Sequence, residues 1–444
     1  MTKINQVLLL PPFLDSRDSG IIVRKQEVFL WILGLLSSYF VNIFGQLYIT
    51  ELIFLSFLPF LLVKKRIRLQ SNLKRILILG SLWLLVQVVT DLMRGTPVND
   101  FLRGWAGIGF FLLDTLVLYI LTDFQVKRIM SFLLGHILGN LVHLFFQPSP
   151  FFVAEPWKFG FAWPIILFML LIIARTAKYH LDWVKYWFFP LFILGSFSLY
   201  QNSRTNAWLV FLTAGLILLR FSNLGRRLLV LRMRLGSMIV LGMFILTLTF
   251  GVLKTYQYTV SQGWLGEEAK AKYLIQYNPK FGLAGIVLGG RNQVLGSIQA
   301  ITDSPLLGQG SWARDPKYRQ YVYQLEELGY TLNGNIENYV NKTDLIPAHS
   351  HFFQAWIWAG PLGAFFWVFV AVVIIRYVLR SFQFPNSFFP MIMFLSASAL
   401  WNILFSPFGA EMRINWAYTL VIILITSLPA VSQVVSKGNS IDGK

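Results

Sequence analysis

Four short stretches hold side chains whose chemistry stands out in a 444-residue chain that is 56% hydrophobic. QNSRTNAW (201–208) carries Arg204 directly after Ser203, and GGRNQ (289–293) places Arg291 behind Gly289 and Gly290. AHSH (348–351) holds two of the five histidines, His349 and His351, around Ser350, and GAEMRINW (409–416) carries Arg413. A guanidinium is permanently charged and grips phosphate oxygens in a bidentate fork. Glycines ahead of Arg291 let the backbone approach a ligand closely. An imidazole accepts a hydroxyl proton near neutral pH, and nearby arginines favour its neutral, base-competent form. Two arginines at one membrane interface are suited to a lipid diphosphate. Each residue also has an ordinary reading. An arginine at the outer end of a span anchors to headgroups, and a histidine pair in a loop is satisfied by carbonyls. A metal site is a further option for His349 and His351, but their i,i+2 spacing suits a loop rather than a helix face, and no other His or Cys lies nearby.

The elements that must position these residues follow from composition. Only 13% of residues are charged, against roughly a quarter in soluble domains. An all-α polytopic membrane protein is expected, since the apolar runs are helix-length and lack the period-two alternation of a barrel. Spans are expected near 28–45, 46–63, 75–93, 102–122, 129–146, 159–175, 185–200, 205–221, 236–253, 351–379, 388–405 and 414–431. The first apolar run, VLLLPPFL, is short and broken by Pro11 and Pro12, so the first full span is expected to serve as insertion signal. The organisation is a bundle of about nine spans over 1–253, a large loop over 254–350, three spans over 351–431 and a tail over 432–444.

The net charge of +18 does not point to nucleic acid. Its basic residues cluster in short loops such as KKRIR (64–68) and Arg226–Arg227. Alternate loops then obey the positive-inside rule with both termini cytoplasmic. The 254–350 loop, with nine basic and eight acidic residues, falls outside. So do all four stretches with candidate chemistry. A loop of this length is usually functional. EEAKAKYLIQY, RNQVLGSIQAI and KYRQYVYQLEEL have helical apolar spacing, and SPLLGQG reads as a turn. With no cysteine in the chain, disulfides and cysteine-ligated zinc are excluded. Inside the bilayer, Asp114, His136 and His143 are candidates either for a proton or ion path or for interhelical pairing.

From span seven to span ten, about 185–375, the chain resembles the bacterial O-antigen ligase and polymerase superfamily. SRTNAW is similar to that family's Ser-Arg helix start. GGRNQVLGSIQAITDSPLLGQG is similar to its Arg-bearing loop helix followed by a Pro-Leu-x-Gly-x-Gly turn. His349-Ser350, a nine-residue gap, Gly360 and then Gly363 fit the ligase pattern. The resemblance implies a membrane-integral, GT-C-like glycosyltransferase without metal or other cofactor. It would move a glycan from undecaprenyl diphosphate to a hydroxyl acceptor on lipid or protein, on the periplasmic face of the bacterial inner membrane. Carried over by position, Arg204 and Arg291 would hold the diphosphate and His349 would activate the acceptor, with Ser203, Gly290, Ser350, His351 and Arg413 around the substrate. His351, two positions on, leaves the choice of base open. A polymerase of the same family and a transporter, for example of inorganic carbon, are the alternatives. The sequence is silent on the oligomeric state.

Overall fold

The computed structural model describes residues 20–426, apart from 44, 65–68, 224, 226–234, 279, 283–284, 286–290, 292 and 328–342. Gly289, Gly290, most of the 64–68 basic cluster, Arg226–Arg227 and the 432–444 tail therefore lie outside the described residues.

The N-terminal half comprises α1 (Gly20–Leu36), a small antiparallel hairpin of β1 (Phe40–Asn42) and β2 (Gln46–Tyr48), then α2 (Ile49–Lys64). It continues through α3 (Ser71–Arg94), α4 (Val98–Thr122), α5 (Val126–Phe146) and the short α6 (Pro150–Ala154). A π-helical turn at Trp157–Phe161 leads into α7 (Ala162–Ala177), followed by α8 (Phe188–Tyr200) and α9 (Arg204–Phe221). After these come α10 (Leu235–Ser261), α11 (Gly266–Gln276) and α12 (Val294–Asp303). The last four helices are α13 (His351–Ala359), α14 (Pro361–Gln383), α15 (Phe389–Phe405) and α16 (Met412–Thr426).

Each of the twelve apolar segments overlaps a helix. Among the described residues, seven helices are long and apolar enough to cross a membrane: α3, α4, α5, Trp157–Ala177, α9, Ile239–Ser261 and α14. The other five segments are helices of 13–17 residues, below the ~20 residues that a bilayer core requires of a perpendicular helix.

Three boundaries differ from expectation. The segment 28–45 is helical only to Leu36, and its end forms a turn and strand β1 of the hairpin. The segment 351–379 is not one helix. Gly360 takes a left-handed φ of 70°, and Pro361, with no N–H to donate, starts a new helix. The 254–350 loop also begins later, because α10 continues to Ser261.

Small residues set the packing. Gly135 and Gly139 of α5 lie against α1, where a Cβ would collide with the carbonyls of Trp31 and Leu35. That is the small-residue spacing by which membrane helices approach closely. The core around α3, α4 and α14 is aromatic. Trp83, Phe111, Phe366, Trp367 and Phe408 meet at centroid distances of 5.1–6.1 Å.

Candidate functional site

The helix ends that carry the candidate residues meet at one end of the bundle. Ser203 sits at the N-cap of α9, buried, with its Oγ accepting from Asn206 Nδ2 (3.0 Å). That fixes Arg204 at the first turn, where it donates to Gln276 Oε1 (2.8 Å) at the end of α11 and lies over the Tyr256 ring (5.2 Å). One turn on, Trp208 packs against Trp401 of α15 (5.2 Å). Arg291 lies over that same Trp401 (5.7 Å) and over Phe405 (5.5 Å). Each guanidinium thus stands over an aromatic face, Arg204 over Tyr256 of α10 and Arg291 over Trp401 and Phe405 of α15, a setting that favours cations.

His349 joins them from the other side. Ser350 donates to the Ile403 carbonyl of α15 (2.8 Å) and caps α13 by accepting from Phe353 N–H (3.2 Å). Ser297 of α12 donates to the Pro347 carbonyl (2.7 Å). His349, held between these anchors, is half-buried. The charges are close enough to act on one another. Burial and then the Arg291 charge hold His349 below the ordinary imidazole pKa. Burial and then the Arg204 charge lower Arg291. Arg204, Arg291 and His349, about 145 residues apart at the extremes, therefore form one electrostatic cluster.

His351 is different. It is fully buried. Its Nδ1–H donates to the Ser406 carbonyl (2.6 Å) and its Nε2 accepts from Trp416 Nε1–H (2.8 Å). Trp367, Phe408 and Trp416 surround the ring at 4.7–5.6 Å. Both nitrogens are engaged, so the ring is a neutral strut between α13 and α16, with no lone pair left for a metal or a substrate proton.

Arg413 is likewise committed within the chain. Its Nε lies 2.6 Å from Glu51 Oε1 and its Nη2 donates to Glu51 Oε2 (3.0 Å) and the Gln46 carbonyl (2.6 Å). Both side chains are buried, at 4% and 0% exposure. This pair ties α16 to the start of α2 rather than presenting a guanidinium to a headgroup.

Among the described residues, no hydrogen bond joins His136, His143 and Asp114 to one another. His136 engages Ser37 of α1 (2.7 Å) through Nδ1 and Asn140 (3.0 Å) through Nε2. His143 packs edge-on to Tyr39 (5.6 Å), and Asp114 is buried on α4. The contacts made by His136 have the character of interhelical pairing.

Sequence reasoning missed the polar latch that holds the loop in place. Asp91, buried at the end of α3, accepts from Ser311 N–H (2.6 Å), Ser311 Oγ (2.7 Å), Thr96 Oγ1 (2.9 Å) and Trp105 Nε1 (2.8 Å). Arg94 donates to the Gly308 carbonyl and Ser304 Oγ (2.6–3.0 Å), and Arg314 grips Asp100 with two bonds (2.7 and 3.1 Å). DLMRGTPVND, at 91–100, holds four of these partners, Asp91, Arg94, Thr96 and Asp100, and is the signal that was available. The latched turn is SPLLGQG, and it rests on the α13–α14 junction. Gln309 N–H donates to the Ile357 carbonyl (2.6 Å), and a Cβ on Gly308 would meet Gly360 N at 2.8 Å. No family model matches the chain, and no curated protein matches it.

Proposed function

We propose that the chain is an O-antigen ligase-like glycosyltransferase, with twelve spans in a GT-C-like arrangement in the bacterial inner membrane, both termini cytoplasmic and the site periplasmic. The observation that carries this reading is the grouping of Arg204, over Tyr256 of α10, with Arg291, over Trp401 and Phe405 of α15, and with His349, on which the Arg291 charge acts. The contact between SPLLGQG and the Gly360 junction, which brings together two of the stretches behind the resemblance, supports it further. In the proposed reaction the acceptor oxygen attacks the anomeric carbon of the donor glycan. The bond from that carbon to the diphosphate oxygen breaks, and undecaprenyl diphosphate leaves with the electron pair. His349 takes the acceptor proton, while Arg204 and Arg291 stabilise the charge that develops on the departing diphosphate. His349, rather than His351, is the base because its neighbour has both nitrogens occupied.

The test is substitution in the native host. Arg204→Ala, Arg291→Ala and His349→Ala each abolish surface glycan while membrane insertion is normal. Wild-type glycan in all three would overturn the reading. A deletion strain separates ligase from polymerase on a glycan gel. Loss of a ligase strands polymer on the carrier lipid, whereas loss of a polymerase leaves single-repeat products.

A further inference from the structure

Beside Arg204, a separate polar cleft of about 210 Å³ opens between three segments. Glu155, Trp157 and Lys158 form one wall, Tyr200 and Asn202 of the α8–α9 turn form another, and Ala269 of α11 closes it. Its volume is below the roughly 300–1,000 Å³ of pockets for drug-sized ligands, a size for one sugar ring. Glu155 and Lys158 are paired at 2.8 Å and remain partly exposed. Trp157 is braced, its Nε1–H donating to Ser198 Oγ (3.1 Å) and its ring edge-on to Phe197 at 4.6 Å. The Asn202 Oδ1 is buried and accepts no hydrogen bond, an expensive state for a polar atom.

Two backbone irregularities converge here. Trp157 opens the π-helical turn Trp157–Phe161, and Asn202 adopts a left-handed φ of 53°. π-turns are frequent at functional sites, and strained residues gather there. The side chains are also the right kind. Aromatic faces pack against the C–H face of a pyranose, while the partly exposed Glu155 carboxylate and Lys158 ammonium and the exposed Gln201 amide serve its hydroxyls. Asn202 lies two residues from Arg204. Ala269 lies seven residues, roughly 10 Å of helix rise, before Gln276, the Arg204 partner.

We infer that this cleft binds a single pyranose ring adjoining the diphosphate site. The inference rests on the glycosyltransferase reading for its place in the reaction. It rests on the cleft alone for its ligand.

The test uses the full-length protein in lipid nanodiscs, with methyl glucoside and methyl N-acetylglucosaminide as probes in saturation-transfer NMR. Wild type shows transfer to at least one glycoside. Asn202→Gly keeps the left-handed turn but removes the amide, and Tyr200→Ala removes the exposed ring; each cuts the transfer at least fivefold. Glycoside transfer absent from wild type, or undiminished in both variants, would overturn the inference. In cells, both variants insert normally and lower surface glycan at least tenfold; unchanged glycan in both would also count against it. Arg204→Ala separates this inference from the reaction it serves. Retained glycoside transfer with wild-type glycan would remove the proposed reaction and leave the sugar site standing. Competition by undecaprenyl diphosphate bearing one sugar, but not by the sugar-free lipid, assigns the cleft to the donor; competition by neither assigns it to the acceptor sugar.

Discussion

The buried Arg413–Glu51 pair gives the sharpest prediction. Replacing Arg413 by Met keeps the length and apolar volume of the side chain but removes the charge, the 2.6 Å contact with Glu51 and the bond to the Gln46 carbonyl. Glu51 keeps its bond from the Tyr48 N–H (2.8 Å), yet its carboxylate is fully buried with no counter-charge at contact distance. Breaking one partner of such a pair costs about 3–5 kcal/mol, whereas replacing both by apolar groups is often neutral. Each 1.4 kcal/mol is tenfold, so the single substitution lowers the folded-to-unfolded ratio by roughly two to three and a half powers of ten. The double variant Arg413→Met with Glu51→Leu recovers most of that loss. Unfolding in mixed micelles, measured for both single variants and the double, supplies the coupling energy. If Arg413→Met unfolds like wild type while surface glycan disappears, the guanidinium acts on substrate and the structural assignment fails.

His351→Phe preserves the aromatic packing but leaves the Ser406 carbonyl and the Trp416 N–H without their partner, each at a cost of about 1–3 kcal/mol. It lowers the unfolding midpoint in the same assay, and His349→Ala leaves that midpoint near wild type. For His349, burial and the Arg291 charge depress the pKa, so the folded protein holds this proton less well than the unfolded chain. As pH falls below the ordinary imidazole value of about 6.5, this residue therefore withdraws stability. NMR titration of histidine-labelled protein, assigned with His349→Ala, shows half-protonation below that value, and Arg291→Gln moves it upward.

Much of this architecture was legible because apolar run length and charge placement are local properties. Each of the twelve apolar segments overlaps a helix, although one of them holds two, and the Pro and Gly of SPLLGQG mark its turn. The break at Gly360 was readable from the Gly-Pro pair, but the aromatic continuity of HFFQAWIWAGPLGAFFW masked it. Arg204, Arg291 and His349 could be singled out by residue type and by likeness to a family pattern. Their proximity could not be, since it depends on α15 presenting Trp401, Phe405 and Ile403 to three segments distant in sequence.

Tertiary structure alone separated like from like. His349 and His351 are the same residue two positions apart, yet the turn into α13 sends one into an aromatic cage and leaves the other half-exposed. Arg413 and Arg204 both start apolar helices, but only Arg413 faces a buried carboxylate, brought from 362 residues away by the packing of α2. The sequence by itself determined which groups could carry charge or a proton and that they sit at helix ends. Three-dimensional packing decided which of those groups are already satisfied, because a hydrogen bond or ion pair is made by proximity in space, and helix length and hydropathy do not encode which distant ends will meet.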